Sequence, residues 1–359
     1  MSQNLVRFWT GPLPKEELFP DRKYNPFVHW LYHPILRHLS RTYLKILQKY
    51  FNLEVIGVTG SFGKTTTKDM LYAILKNHAP TVASFGNISS TYNIPGTILK
   101  CTPLTKYLIL EMGVEYKGDM DFYLWLARPD VAIITGIGPT HLEHMGSIEN
   151  IAYEKNKITK FAKHLVTYQN TKVKHYSLPT DFIGNQFDLN ASLAAKTAEI
   201  LNISNHLISQ SLNNFTPPPH RMCLIKLKNN NYLIDDSYNA NPEAVKASLT
   251  TLIEFSKSKK LTPVFVFGQM NELGSYAISA HQEIGILVKK LGITHFYCLG
   301  EATKYSLKSA DFGQYFDDLD NLTPEIKKLV TSHKSLVVLI KGSRSWKMEK
   351  IIKSLICEK

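Results

Sequence analysis

The stretch VIGVTGSFGKTTTKDMLYAIL, residues 55–75, decides how the chain folds. Its β-branched start predicts a buried strand, and apolar residues at helical spacing in its second half predict a helix. Between them lies a turn with glycines at 60 and 63, followed by Lys64 and Thr65. Such a turn presents backbone N–H groups and a helix N-terminus to an anion, while Lys64 neutralises the β/γ-phosphates and the Thr65 hydroxyl suits Mg²⁺. The stretch therefore predicts a binding site for a nucleoside triphosphate.

The phosphate loop departs from the usual pattern at one position. Val58 stands where a glycine is common, and the glycines fall at 57, 60 and 63 instead. The alternative is a turn that merely joins strand to helix, but Gly-Lys-Thr has the strand–turn–helix context that the motif requires. The residues predicted to hold the nucleotide here are Gly60, Ser61, Gly63, Lys64, Thr65 and Thr66.

Composition limits the class of protein without choosing a partner. The 359 residues carry a formal charge of +12 and 44% hydrophobic residues, which is typical of a globular protein with anionic ligands. No basic run is interleaved with aromatic residues, so nucleic acid is not expected as a partner. The four cysteines match no zinc or redox spacing and predict free thiols in a reducing compartment. With no signal peptide or membrane-spanning run evident, we expect a cytoplasmic protein.

The order of predicted elements indicates an α/β fold with two domains. Strand-like and helix-like runs alternate from residue 52 to 216, as in a doubly wound parallel sheet. The run Thr216–Pro219 contains three prolines and predicts a linker, after which a second α/β set follows. We therefore expect a P-loop ATPase domain at 52–216 and a smaller Rossmann-like domain at 217–359. Predicted strands are 54–59, 80–83, 107–112, 131–135, 164–168, 222–227, 231–235, 263–267, 295–299 and 335–340.

Residues 1–51 are predicted to form an N-terminal arm with a basic amphipathic helix. After Pro34, apolar residues from Ile35 to Leu47 form a stripe with arginine and lysine interspersed or opposite. Such a helix either packs on the following domain with its basic face solvated, lies on the anionic inner face of a membrane, or contacts a partner protein.

Two polar positions follow apolar strands and should reach the same sheet edge as the phosphate loop. Glu111 ends the run YLILE, where a carboxylate can hold the Mg²⁺ that bridges the phosphates. His141 lies in a glycine-rich loop after residues 131–135, with His144 three positions later. A solvated glutamate and loop histidines without a role are the alternatives. Zinc is disfavoured, because no cysteine or further histidine stands nearby in sequence.

Several motifs, in order, resemble the Mur ligase family. TGSFGKTTTKDML, GN at 86–87, LEMG at 110–113 and THLEHMGSIENIAYEK at 140–155 are similar to its central ATPase domain. HRM at 220–222, DDSYNANPEAV at 235–245, FGQMNELG at 267–274 and KGSRSWKME at 341–349 are similar to its C-terminal half. The resemblance runs from about residue 55 to 350.

The resemblance implies an ATP-dependent amide ligase that activates a carboxylate as an acyl phosphate. The branch it resembles most adds D-alanyl-D-alanine to UDP-N-acetylmuramoyl-tripeptide in peptidoglycan synthesis. Alternatives are ligation of another carboxylate, such as a polyglutamate or other peptide polymer, or a non-catalytic ATP-binding subunit. Family members usually carry a further N-terminal domain that grips the UDP-sugar, and residues 1–51 do not resemble it. The ligase chemistry is therefore better supported than the substrate.

In the first half, the resemblance implies that Lys64 and Thr65 hold the phosphates and one Mg²⁺, with Glu111 as a ligand of that ion. His141 resembles a ligand of a second Mg²⁺. Lys155 matches the lysine that the family carbamylates, and Lys157 is the alternative if the register slips. Carbamylation converts an ammonium into an anion, which a second divalent cation would require nearby.

In the second half, the resemblance implies further ligand contacts. Arg221 resembles an arginine that reaches the γ-phosphate. The expected adenine contacts are Asn239 and Asn241 with Asp236 nearby, and His281 is a further candidate for the nucleotide. Residues expected to bind substrate are Asn87, Lys341, Ser343 and Arg344, although a plain basic helix start is the alternative for the last three.

Overall fold

The structure is a computed structural model that describes residues 9–13, 27–85 and 90–356, except for the side chain of His29. The chain divides into two compact units. Unit 1 contains the described residues of Met1–Leu178 together with Asp188–Phe215, and unit 2 contains those of Pro179–Phe187 and Thr216–Lys359. No helix in the described part of the chain is both long and apolar enough to cross a membrane.

Unit 1 is built on a five-stranded parallel sheet in the order β2-β3-β1-β4-β5. The strands are β1 Glu54–Thr59, β2 Thr81–Ala83, β3 Tyr107–Glu111, β4 Val131–Ile134 and β5 His164–Thr167. Because β1 lies between β3 and β4 and all strands are parallel, the loops that follow these three strands meet at one edge. That edge is where open α/β sheets bind their ligands.

The helices of unit 1 cover the sheet and close its core. They are α1 His33–Tyr50, preceded by a π-helical turn Val28–Tyr32, α2 Lys64–Lys76, α3 Ser90–Ile98, α4 Asp119–Leu126, α5 Leu142–Met145, α6 Ile148–Asn156, α7 Gln186–Ile200 and α8 Asn205–Asn213. A 3₁₀ turn at Lys157–Lys160 follows α6.

Helix α1 packs against α3 and α4 as part of unit 1. Leu44 and Leu47 are each 1% exposed, and the Arg37 guanidinium lies 5.2 Å from the ring centroid of Phe122. The prediction that the helix packs on the following domain is confirmed. The predicted single apolar stripe is wrong, since Ile35 and Leu39 are exposed on the other side of the helix.

Unit 2 has a six-stranded sheet in the order β10-β9-β8-β11-β7-β6, in which only β6 is antiparallel to its neighbour. The strands are β6 Cys223–Lys226, β7 Tyr232–Asp236, β8 Thr262–Gly268, β9 His295–Leu299, β10 Gln314–Phe316 and β11 Leu336–Lys341. The helices are α9 Pro242–Lys259, α10 Ala277–Lys290, α11 Thr303–Ala310, α12 Leu319–Ser332 and α13 Glu349–Ile356, with 3₁₀ turns at Gly274–Tyr276 and Arg344–Trp346.

The predicted α/β fold class and the predicted strands are confirmed, with small differences at their ends. Four described elements were not predicted, namely α3, α5, α11 and β10. Helix α3 contains Pro95 and Gly96, which disfavour a helix interior, but its buried residues Thr91, Ile94 and Ile98 stabilise it by tertiary contact.

Candidate active site

The phosphate loop has positive φ angles at two glycines, Gly60 and Gly63. Gly60 has φ 150°, and a Cβ there would lie 2.1 Å from the Thr135 Oγ1. Gly63 caps α2 with φ 77°, and a Cβ there would lie 2.5 Å from the Asn190 Oδ1. Both positions favour glycine, because side chains rarely adopt these φ values and a Cβ would also displace a neighbouring polar side chain.

The loop after β4 is hydrogen-bonded directly to the phosphate loop. Ser61 N donates to the Gly136 carbonyl at 2.8 Å, and its hydroxyl both donates to the Gly138 carbonyl at 2.9 Å and accepts from Gly138 N at 3.0 Å. Thr135 Oγ1 also donates to the Phe62 carbonyl. These bonds hold the segment that leads to His141 against the nucleotide loop, at the sheet edge predicted from the sequence.

Lys64 and Thr65 open α2 and point into the same region. The Lys64 ammonium donates to the Gly60 carbonyl at 2.8 Å, so its side chain arches back over the loop. The Thr65 hydroxyl donates to the Glu111 Oε1 at 3.1 Å. The hydroxyl and the carboxylate that were predicted to share a metal are thus brought into contact by neighbouring strands.

Glu111 has a second contact that sequence reasoning missed. Its Oε2 is buried and accepts no hydrogen bond from the described residues, but it lies 3.9 Å from the Lys68 ammonium. Lys68 is itself 2% exposed and donates to the Ser84 carbonyl at 2.7 Å. The sequence shows that Lys64 and Lys68 lie one helical turn apart. The contact between Lys68 and Glu111 depends on the pairing of β1 with β3, which the spacing does not reveal.

The residues present fit a magnesium ion better than a transition metal. Among the described residues, no three His, Cys, Asp or Glu side chains form a metal-holding group. Mg²⁺ is usually held by one or two protein oxygens together with phosphate and water. The Glu111 Oε2, buried without a hydrogen-bond donor, and the adjacent Thr65 hydroxyl match that sparse donor set. His141 immediately precedes α5 and has a left-handed backbone conformation, with φ 54°.

Lys155 is the most unusual charged group in unit 1. It lies near the end of α6, is 1% exposed, and its Nζ has no hydrogen-bond partner among the described residues. Burial, followed by repulsion from Lys64, holds the pKa of the Lys155 amine well below its usual range, although Asp119 and two glutamates act in the opposite direction. Burial of this kind disfavours the charged ammonium relative to the neutral amine, which is the nucleophilic form.

The alternative lysine, Lys157, has the opposite environment. Its ammonium is 2.7 Å from carboxylate oxygens of both Asp121 and Glu154. Burial acts to lower the pKa of Lys157, but hydrogen bonds to these two carboxylates outweigh it and raise the pKa. Lys157 therefore stays a cation, whereas the pKa of Lys155 is lowered.

Two buried carboxylates surround this region, and neither was singled out from the sequence. Glu154 accepts from the backbone N–H groups of Gly118 and Met120 at the start of α4, at 3.0 and 3.1 Å. Asp119 accepts from the N–H groups of Glu115 and Tyr116, both at 2.8 Å, yet burial raises the pKa of Asp119 to about 6. These bonds fix the α4 N-terminus beside Lys155.

Unit 2 places its predicted residues at the ends of β7 and β11. The Lys341 ammonium is paired with Asp236 and donates to the Asn239 carbonyl at 3.0 Å, and Ser248 donates to the same carboxylate at 2.7 Å. Asp236 and Lys341, predicted for two different ligands, are thus partners in one buried ion pair. Ser343 is 4% exposed and accepts from Asn271 N at 2.9 Å.

Two predicted arginines share one aromatic ring in unit 2. The Arg221 guanidinium lies 4.1 Å from the ring centroid of Tyr238, and that of Arg344 lies 5.9 Å from it. Arg344 also pairs with Glu349 at 3.2 Å. Tyr238 was not predicted as a functional residue, although it stands inside the SYNANPE motif, and it orients both cations.

Three other predicted nucleotide contacts have structural partners here. Asn241 caps α9 by accepting from Ala244 N at 2.9 Å, and the Asn239 side chain accepts from Ala240 N at 2.9 Å. His281 is completely buried, with its Nε2 accepting from Met270 N at 3.1 Å and its Nδ1 at 2.7 Å from the Ala277 carbonyl. That arrangement favours a structural role for His281. Asn87 lies outside the described residues.

The phosphate loop, the adjacent Glu111 and the helix N-terminus at Lys64 form a site suited to a nucleoside triphosphate. The models named Mur ligase middle domain and Mur ligase, glutamate ligase domain match residues 58–178 and 220–344. This chain belongs to the Mur ligase family. It is an ATP-dependent ligase of that family.

The chain is similar over most of its length to named ligases. The chain is 30% identical to the UDP-N-acetylmuramoyl-tripeptide–D-alanyl-D-alanine ligase of Bacillus subtilis, over 89% of this chain and 79% of that protein. It is 26% identical to the ligase of the same name from Escherichia coli, over 84% and 76%. A crystal structure of MurF from Acinetobacter baumannii has a TM-score of 0.81 and 26% identity, covering 91% of this chain and 81% of that chain.

Proposed function

We propose that this protein joins D-alanyl-D-alanine to the peptide carboxylate of UDP-N-acetylmuramoyl-tripeptide, at the expense of ATP. The observation that carries the ligase chemistry is the Thr65–Glu111 contact at 3.1 Å beside the phosphate loop. The names of the relatives supply the substrates, because both the Bacillus subtilis and the Escherichia coli ligases carry this name.

The proposed reaction has two steps. An oxygen of the substrate carboxylate attacks the γ-phosphorus of ATP, the bond to the β,γ-bridging oxygen breaks, and ADP leaves an acyl phosphate. The amine nitrogen of the dipeptide then attacks the acyl carbon, the carbon–oxygen bond to phosphate breaks, and the nitrogen loses its proton. Such chemistry relies on positioning and charge rather than on a nucleophilic side chain.

The residues of unit 1 supply charge where this reaction needs it. Backbone N–H groups from Gly60 to Thr65 and the Lys64 ammonium would bind the phosphates. Thr65 and Glu111 would hold one Mg²⁺, which neutralises developing charge on the phosphates, and His141 is the proposed residue for a second ion. In unit 2, Arg221, oriented by Tyr238, is the proposed partner of the γ-phosphate.

Lys155 is proposed to be carbamylated. Its neutral Nζ attacks the carbon of CO₂, a nitrogen–carbon bond forms, and the nitrogen loses one proton to water, which leaves an anionic carbamate. The burial of Lys155 and the proximity of Lys64 favour this, because the unmodified amine has no partner and a nearby cation favours an anion.

The test is phosphate release from ATP and Mg²⁺ with UDP-N-acetylmuramoyl-tripeptide and D-alanyl-D-alanine. We expect release only when both substrates are present, and none from Lys64→Ala. Lys76→Ala, an exposed change at the end of the same helix, is the matched control and should keep the activity. Release with a different carboxylate and not with this one would overturn the substrate but keep the ligase. Unchanged turnover in Lys64→Ala would overturn both.

A further inference from the structure

Helix α1 and its π-helical turn present an apolar ridge to solvent. The outer ridge consists of Leu31, Ile35, Leu39 and Ile46, whose exposed fractions are 44, 48, 56 and 43%. The spacings of four, four and seven residues place them on one side of the helix. The opposite side carries Leu44 and Leu47, which belong to the core of unit 1. The helix is therefore apolar on two sides, and folding of unit 1 uses only one of them.

Exposure of this kind needs an explanation, since four large aliphatic side chains aligned on one helix are unlike scattered surface residues. Tyr32 and Tyr50, which are 53 and 66% exposed, flank the ridge towards its two ends. Tyrosine in such a place has an apolar ring and a hydroxyl that prefers water. This combination is typical of a surface that lies at a boundary between water and an apolar phase.

The helix segment that bears the ridge carries charges of a single sign. Residues 27–53 contain no aspartate or glutamate, whereas Arg41, Lys45 and Lys49 follow one another at intervals of four. Lys45 and Lys49 are exposed, and Arg41 donates to the Trp125 carbonyl at 2.7 Å. The neighbouring charges of Arg41 and Arg128 lower the pKa of the Lys45 ammonium, so these cations share one positive field.

We propose that the outer ridge of α1 rests on the surface of an anionic lipid bilayer, with Lys45 and Lys49 reaching the headgroups. Aliphatic side chains would enter the boundary of the acyl chains while the lysine stems extend to phosphate. Lysine is depleted at protein–protein interfaces relative to the rest of the surface, so Lys45 and Lys49 favour lipid over a protein partner. A uniformly cationic flank complements a uniformly anionic surface.

The test is co-sedimentation of the full chain with vesicles of phosphatidylcholine, with or without phosphatidylglycerol. We expect binding to the anionic vesicles only, weakened by added salt. Lys45→Gln with Lys49→Gln should lower the partition coefficient at least about tenfold, since each cation near such a surface contributes about fivefold. Leu39→Ser with Ile46→Ser should lower it as well, because the apolar contact is lost.

Matched controls come from α10 in unit 2. Ile286 is 58% exposed and the Lys289 side chain is 59% exposed, so Ile286→Ser and Lys289→Gln change the same chemistry elsewhere. Both should leave vesicle binding unchanged, and thermal melts should show that all variants fold. Equal binding to neutral vesicles, no binding to either kind, or insensitivity to the α1 variants would overturn the proposal. So would a lipid-free oligomer that Leu39→Ser with Ile46→Ser dissociates, because a second copy would then cover the ridge.

Discussion

Replacing Lys155 by methionine should stabilise unit 1 while it abolishes ligation. Methionine has nearly the same length, and Lys155 is 1% exposed with no hydrogen-bond partner for its Nζ in the described structure. A buried polar group without a partner costs about 1–3 kcal/mol, and an apolar side chain of the same shape removes that cost. We therefore expect Lys155→Met to raise the free energy of unfolding by at least about 1–3 kcal/mol, or several degrees in the melting temperature.

The gain should depend on pH in a defined direction. The folded state holds the pKa of Lys155 well below 10.5, so between that lowered pKa and pH 10.5 the unfolded chain binds a proton that the folded chain does not. Stability of the wild type from this group therefore rises with pH up to 10.5, by up to roughly tenfold in the folding equilibrium per pH unit. Lys155→Met lacks this dependence, so its advantage should shrink as the pH is raised towards 10.5.

The assay is thermal unfolding in buffer free of CO₂, followed by the same measurement with bicarbonate. Bicarbonate should raise the melting temperature of the wild type and leave Lys155→Met unchanged, because only the amine can form the carbamate. Lys157→Met is the matched control and should destabilise the protein, since it leaves the buried Glu154 without its ion pair. A Lys155→Met protein less stable than the wild type in CO₂-free buffer would refute the reasoning.

Three further changes separate the roles of the other groups. Glu111→Gln keeps the shape but removes the carboxylate, so the Mg²⁺ concentration for half-maximal ATP turnover should rise at least about tenfold; an unchanged requirement would exclude Glu111 as a ligand. Arg221→Ala should lower kcat about 100-fold or more with little change in ATP affinity, as expected for a cation that acts on the transferring phosphoryl group, and an intact kcat would contradict its placement. Asp236→Asn leaves Lys341 buried without its counter-charge and should cost about 3 kcal/mol in urea unfolding, whereas a loss below about 1 kcal/mol would show that Lys341 is stable without its ion pair.

The fold was largely predictable because its strands are short apolar runs between clear turn signals. The phosphate loop identified β1 and α2, and the rule that ligands gather at the carboxyl edge of parallel strands placed Glu111 beside Thr65. Helix α3 was not predictable in the same way, since Pro95 argues against it locally and only burial of residues such as Ile94 offsets that cost.

The contacts of a side chain were harder to predict from the sequence than its position in the fold. In the sequence, Asp236 and Lys341 stand in separate motifs more than a hundred residues apart, and their pairing depends on β7 lying next to β11. In the same way, the contact of Lys68 with Glu111 depends on α2 following β1, the strand that pairs with β3. Such contacts are set by strand order, which the alternation of elements does not determine.

Lys155 and Lys157 differ in a property that the sequence does not show, namely which side of the helix is buried. Both lysines fall at the end of one predicted helix, and neither spacing nor residue type separates them. Two positions correspond to about 200° of rotation on a helix, so one side chain faces the buried region near Lys64 and the other reaches Asp121 at the surface. That rotation buries the Lys155 amine, which lowers its pKa, and leaves Lys157 beside two carboxylates, which raise its pKa. The chemistry assigned to Lys155 therefore follows from the face of α6 that unit 1 buries, and a local motif alone does not contain it.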